Sequence, residues 1–305
     1  MTVLPIPHIF VYIIMFLTSM TSAAFVLPRR LLPHVLRSCP RSYSSTARLS
    51  MAASGSEIMS ALGKDSAYVG TNVLTAMECL ANADAVCFDV DSTVIEHEGI
   101  DILADYLGKG EAVAALTKKA MEGSTKFQDA LKARLELMEP SEQQILNCLK
   151  DRPLVLSPGV ESLVEALHEA GIDVYLVSGG FRIMIEPVAE DLSIAKTNIY
   201  ANNIMFDADG NYSGFDANEP TSADMGKPKA VQMIKDENGY KTMIMVGDGA
   251  TDAQAKPPAD AFIGFGGVVT REAVKEKACW FVTDFSDMER IVRQFGGKDR
   301  DSSAE

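Results

Sequence analysis

The chain has 305 residues, 47% of them hydrophobic and 23% charged, which is the balance of a globular protein long enough for one large or two ordinary domains. Its net charge of −14 argues against a nucleic-acid-binding surface and suits a protein that gathers carboxylates around divalent cations. The charge is uneven: residues 1–56 hold no Asp or Glu but carry Arg29, Arg30, Arg37, Arg41 and Arg48, leaving 23 basic against 42 acidic residues in the body.

Ahead of these arginines, residues 9–17 form an apolar block too short for a membrane span, followed by small residues over 18–24, as in a signal peptide. The Arg- and Ser-rich, acid-free stretch after Phe25 has the composition of an organelle transit peptide. That order resembles the bipartite leaders of algae with complex plastids. Residues 1–52 are therefore expected to be a targeting leader to the plastid, with the mitochondrion as the alternative and no stable membrane association once it is removed. Cys39, Cys79, Cys87, Cys148 and Cys279 are scattered and show no metal-ligand or disulfide spacing.

Residues 57–82 read as a helical prelude. The run from Ala85 to Val94 is apolar, then places Asp89 and Asp91 one residue apart before Ser92 and Thr93. It reads as a strand buried on both faces that ends in two acids. Four helices follow. Ile100, Leu103, Ala104 and Leu107 share one face before Gly108; a second helix ends near Gly123; a third spans about 127–138; a fourth starts after Ser141, a good N-cap residue. Strands and helices then alternate: helix 160–170, strand 173–178, helix 182–191, a hairpin within 199–216 turning at residues 207–211, helix 227–236, strand 242–249, and short strands near 261–263 and 280–282.

Alternating βαβ units imply an α/β fold, a Rossmann-like parallel sheet with a helical cap inserted after the first strand and a small β-hairpin insert. The expected division is a core of 53–98 with 150–295, a cap over 99–149 and a disordered tail over 296–305.

Polar residues fall at strand ends: Asp89 and Asp91, Ser178-Gly179-Gly180, and Asp248 to Asp252, with Lys227 opening a helix between the last two. Ligands of such sheets bind at the carboxyl ends of the strands. Several carboxylates suit Mg²⁺, and glycine amides with Ser and Lys suit a phosphoryl group, so the set points to phosphoryl transfer. No Walker-type loop is present.

These four motifs resemble those of the haloacid-dehalogenase-like hydrolases, over about residues 84–285. The strings Phe88 to Val94, Glu98-Gly99-Ile100-Asp101 and Val177 to Phe181 are similar to the branch that hydrolyses O-phospho-L-serine, the last step of serine biosynthesis. The resemblance implies that Asp89 is a nucleophile forming an aspartyl-phosphate, and that Asp91 is the proton carrier. Lys227, Ser178, Gly179 and Gly180 would hold the phosphoryl group. Mg²⁺ would be bound by Asp89, the Asp91 backbone, Asp248 and, directly or from outside the first layer of ligands, Asp252. Independently, Arg134 projects within about 20° of Phe127 on the third helix, so a guanidinium lies beside an apolar stripe. A carboxylate is its natural bidentate partner, and Glu98 suits an ammonium. The family implies these two roles, with Met121, Phe127 and Thr251 lining the pocket. Pro228 after Lys227 and Glu122 depart from the family pattern. Alternatives are a phosphatase of this fold for another small phosphomonoester, and a catalytically weak homologue that binds a phosphorylated ligand. A homodimer is compatible with the sequence.

Overall fold

The run Ala85–Phe88 is extended because every one of its side chains is buried: alternate residues face opposite sides of one sheet. In the computed structural model, which describes residues 57–58, 68–120 and 125–297, Val86 and Phe88 enter one core, and Ala85 and Cys87 the other.

The elements are α1 (Val73–Ala81), β1 (Ala85–Phe88), α2 (Gly99–Tyr106), α3 (Gly110–Lys119), α4 (Phe127–Met138), α5 (Glu142–Asp151), α6 (Val160–Glu169), β2 (Asp173–Phe181) and α7 (Arg182–Asp191). They continue with β3 (Ile199–Asn202), β4 (Ile204–Phe206), β5 (Tyr212–Phe215), α8 (Gly226–Asn238), β6 (Met243–Gly247), α9 (Ala250–Gln254), β7 (Ala261–Phe265), α10 (Glu272–Lys275), β8 (Trp280–Val282) and α11 (Ser286–Phe295). Six strands make one parallel sheet in the order β3-β2-β1-β6-β7-β8. The central strand β1 thus has β2 and β6 as neighbours, which sets the three acid- or glycine-tipped strand ends side by side. Helices α1, α6 and α11 bury their apolar faces on one side, and α8 and α10 on the other.

The insert packs around its own cluster, built from Leu103, Val113, Leu131, Leu135, Ile145 and Cys148 together with Phe181, Met184 and Ile204 of the flanking elements. Its helix ends follow from local chemistry. Gly108 adopts φ +69 after α2, Glu139 turns left-handed after α4, and Ser141 with Gln144 forms a reciprocal capping box at α5.

Three readings of the sequence change. Residues 199–202 pair with β2 in the main sheet, and only β4 and β5 form the hairpin. Part of the prelude is extended: Val69 bridges Phe281, and Thr71 and Asn72 donate to Ala278 and Cys279, covering the β8 edge. Helix α11 lies beyond the last element read from the sequence, although Met288, Ile291, Val292 and Phe295 carry its spacing. Among the described residues Cys79, Cys87, Cys148 and Cys279 are free thiols, and no helix is long and apolar enough to cross a membrane. The leader expected over residues 1–52 lies outside the described residues.

Candidate active site

The chain leaves β1 in a wide turn. Asp89 and Asp91 stay extended, Ser92 takes the left-handed φ of 54°, and the Ile95 amide closes back on the Val90 carbonyl at 3.0 Å. The Asp89 amide donates to the Val246 carbonyl of β6 at 2.8 Å, tying this residue to the neighbouring strand end. The Asp89 carboxylate accepts from the Val90 amide at 2.8 Å. Asp91 points to the other neighbour: it accepts from the Gly99 amide at 2.7 Å and from Ser178 Oγ at 3.1 Å. Ser178 Oγ in turn accepts from the Gly180 amide at 2.8 Å. A Cβ at position 180 would lie 2.8 Å from Asp91 Oδ2, so the close approach of strand and carboxylate needs glycine. Burial, followed by the charges of Glu98 and Asp89, pushes the Asp91 carboxyl up to about 7.

The ends of β1 and β6 supply a cluster of carboxylates. One oxygen each of Asp89, Asp248 and Asp252 lies within 4.8 Å of the others, all three residues being buried. Lys227 enters from the first turn of α8, where Pro228 is tolerated because the amide it lacks has no helical partner there. Its Nζ is 2.7 Å from Asp89 and 2.6 Å from Asp252. Burial works against its charge, yet the two carboxylates outweigh that and hold its pKa above the ordinary lysine value. Asp252 also accepts from the Gly249 amide at 2.9 Å; burial and Asp89 hold its pKa up. An isolated buried carboxylate costs several kcal/mol, so one ammonium between two of them is what lets this cluster fold. The all-oxygen donor set fits a hard divalent cation.

The residues expected to read the substrate stand on the insert side. Glu98 accepts from Ser92 Oγ at 2.9 Å, and burial raises its pKa. Arg134 donates from Nε to the Ala130 carbonyl at 3.2 Å, one turn back on α4. Burial lowers its pKa, while the nearby charges of Asp101, Glu98 and Asp91 act in the opposite direction. No carboxylate among the described residues lies within ion-pair distance of Arg134. Phe127 lies over the glycines: a Cβ at Gly179 would be 3.1 Å from its Cζ. Thr251 is exposed at the start of α9, beside Gly249. Met121 and Glu122 lie outside the described residues. His97 is exposed.

Several participants were not anticipated. Arg271, in the loop before α10, forms an ion pair with Asp248 and donates to its backbone carbonyl at 2.9 Å. Thr93 Oγ1 donates to Asp248 at 3.4 Å. Asn202 donates to the Gly179 carbonyl at 2.7 Å and accepts from Thr221 at 3.0 Å, fixing the glycine strand end from behind. No spacing rule marks such residues; only the adjacency of β3 to β2 brings Asn202 there.

A family model described as haloacid dehalogenase-like hydrolase matches residues 83–258. The phosphoserine phosphatase of Bos taurus is 49% identical over 207 residues, which are 68% of this chain and 92% of that protein. The chloroplastic phosphoserine phosphatase of Arabidopsis thaliana is 51% identical over 222 residues, 71% of this chain and 75% of that one. A solved phospho-aspartyl intermediate analogue of phosphoserine phosphatase overlays with a TM-score of 0.59 at 28% identity, covering 68% of this chain and 98% of its own. With its parallel sheet, inserted helices and matched segment, the chain belongs to the haloacid dehalogenase-like hydrolases.

Proposed function

We propose that the chain hydrolyses O-phospho-L-serine to L-serine and phosphate through an aspartyl-phosphate on Asp89, with Mg²⁺ as cofactor. The phosphatase activity rests on relatives near half identity over most of their length. The division of roles rests on one observation above all. Asp89 and Asp91, two residues apart, are held by different partners, Asp89 by Lys227 and Asp91 by Gly99 and Ser178.

Asp89, whose carboxylate lies 2.7 Å from the Lys227 ammonium, is the nucleophile. Asp91, whose carboxyl is held near 7, carries a proton to the departing serine oxygen and then takes one from the water that cleaves the acyl-phosphate. Ser178, the amides of Gly179 and Gly180, and Lys227 hold the phosphoryl oxygens and counter their charge. Asp89, Asp248 and the Asp91 backbone would hold Mg²⁺, with Asp252 behind them, since both its oxygens already accept hydrogen bonds. The ion, when bound, would neutralise charge on the transferring group.

Arg134 takes the substrate carboxylate and Glu98 its ammonium, while Phe127, Thr251 and Met121 line the serine moiety. The insert, residues 99–149, serves as a cap that excludes bulk water while the intermediate stands. The test is a panel of phosphomonoesters assayed on residues 53–305 with Mg²⁺ and again with a chelator. Release from phosphoserine should exceed that from sugar phosphates by at least ~100-fold and vanish with the chelator; equal rates across the panel would sink the substrate assignment. The leader is read as plastid-directed, supported by the chloroplastic relative. Residues 1–52 fused to a fluorescent protein should accumulate in plastids, and mitochondrial signal would overturn that.

A further inference from the structure

On the edge of the sheet opposite the active site, two reactive side chains touch. Lys256 Nζ lies 2.8 Å from Cys279 Sγ, the two residues being 23 positions apart in the chain. For an oxygen acceptor that distance is ordinary. Sulfur is the larger atom, so the same figure is a close approach. Lys256 is exposed, and no carboxylate among the described residues pairs with it. Cys279 is 2% exposed and clamped at its backbone, its amide donating to Phe262 and its carbonyl accepting from Asn72, both at 2.9 Å. The lysine reaches in from solvent onto a buried sulfur whose backbone is held on both sides.

We infer that Lys256 and Cys279 form an oxidation site, in which one oxygen atom enters between Nζ and Sγ to give a covalent lysine–oxygen–cysteine bridge. The oxidant is a small peroxide, hydrogen peroxide being the simplest. The thiol and the neutral amine consume two molecules of peroxide and release three of water. Sγ and Nζ each lose one hydrogen, and one peroxide oxygen stays between them. Sulfur and nitrogen are each oxidised by two electrons, and these four electrons reduce the two peroxides. The ammonium first gives one proton to solvent, which surrounds Lys256. Two equivalents of a dithiol reverse the change, returning thiol, amine and one water while becoming two disulfides.

Cys79 on α1 is the nearest rival partner, since the charges of Cys279 and Lys256 both act on it. Burial, then Asp260 and Cys279, push its thiol pKa up, and no hydrogen bond among the described residues joins it to Lys256, whose Nζ instead meets Cys279. The bridge would staple the segment after α9, the helix that carries Thr251 and Asp252, to the start of β8.

The experiment treats the full chain with hydrogen peroxide and maps its peptides without reductant. The expected product joins the Lys256 and Cys279 peptides with a mass of their sum plus one oxygen less two hydrogens, and dithiothreitol releases it. The oxidised protein should melt on the order of 5 °C higher, because the link closes a loop of about two dozen residues. Lys256→Gln should melt as the untreated wild type and gain nothing from peroxide. Three products would overturn the inference: a Cys79–Cys279 disulfide; sulfinic acid at Cys279 with Lys256 still open to amine labelling; or a link lacking the added oxygen. Mapping the wild type decides the question even where a variant folds poorly.

Discussion

The two halves of the site are built on opposite terms. At the phosphoryl end, Asp89, Lys227 and Asp252 are all but buried and already paired at 2.6–2.7 Å. At the insert end, Arg134 spends Nε on a carbonyl of its own helix, Glu98 takes one hydroxyl, and both remain partly open to solvent. Buried charges that find partners only when substrate binds would have to be desolvated without compensation in the free protein. The core avoids that by pairing them in advance, so the sheet edge is organised before the ligand arrives. The insert keeps its charges partly hydrated, and in the proposed function the ligand supplies their partners. Damage at the first end should therefore appear in turnover and stability, and damage at the second in apparent affinity.

The largest effects belong to the buried end. Asp89→Asn should lower kcat by at least ~10⁴-fold and abolish acid-stable labelling of the protein by phosphoserine, because in the proposed mechanism this carboxylate is the one that attacks phosphorus. Lys227→Met should cost about 3–5 kcal/mol of stability in metal-free buffer, since it leaves Asp89 and Asp252 buried without their cation. Chemical denaturation reads this. Added Mg²⁺ should restore part of the stability and little of the turnover, which should stay down by ~10²–10³-fold. A Lys227→Met protein as stable and active as the wild type would break the contrast at its stronger side.

Arg134→Ala comes next. It should raise KM for phosphoserine by roughly 10–100-fold, the weight of charged hydrogen bonds to a carboxylate, and leave a carboxylate-free phosphomonoester almost unaffected. Steady-state kinetics on both substrates decide it. Equal losses on both would make Arg134 a packing residue of α4.

How much of this was legible in the sequence follows the same line. The buried end announces itself, because a carboxylate at the tip of an apolar strand is costly and therefore rare without a reason. That is why Asp89, Asp91, Ser178 and Asp248 stand out at strand ends as candidates, and why periodicity and caps mark the helix boundaries of α4 and α5. What stayed hidden depends on the order of strands in space. Arg271 reaches Asp248 from the loop beyond β7, and Asn202 reaches Gly179 because residues 199–202 join the main sheet, where the sequence alone suggested a hairpin. No residue spacing encodes those adjacencies. Helix α11 is a different case, since Met288, Ile291, Val292 and Phe295 carry its pattern in the sequence itself.

Asp224 tests where the two halves meet. It lies three residues before Lys227 and accepts from the Phe127 amide at 3.0 Å, the first amide of the helix that carries Arg134. Lys126, at the N-cap position of α4, offers no side-chain bond of its own, so a core residue does the capping from across the site. Removing an N-cap acceptor costs about 1 kcal/mol, less where solvent replaces it. Asp224→Ala should therefore raise KM for phosphoserine by about 2–5-fold. It should change kcat little, and Asp224→Asn, which keeps an acceptor oxygen, should restore the wild-type value. A fall in kcat as deep as that of Lys227→Met would mean the contact governs the lysine loop. The insert and the phosphoryl end would then move as one unit.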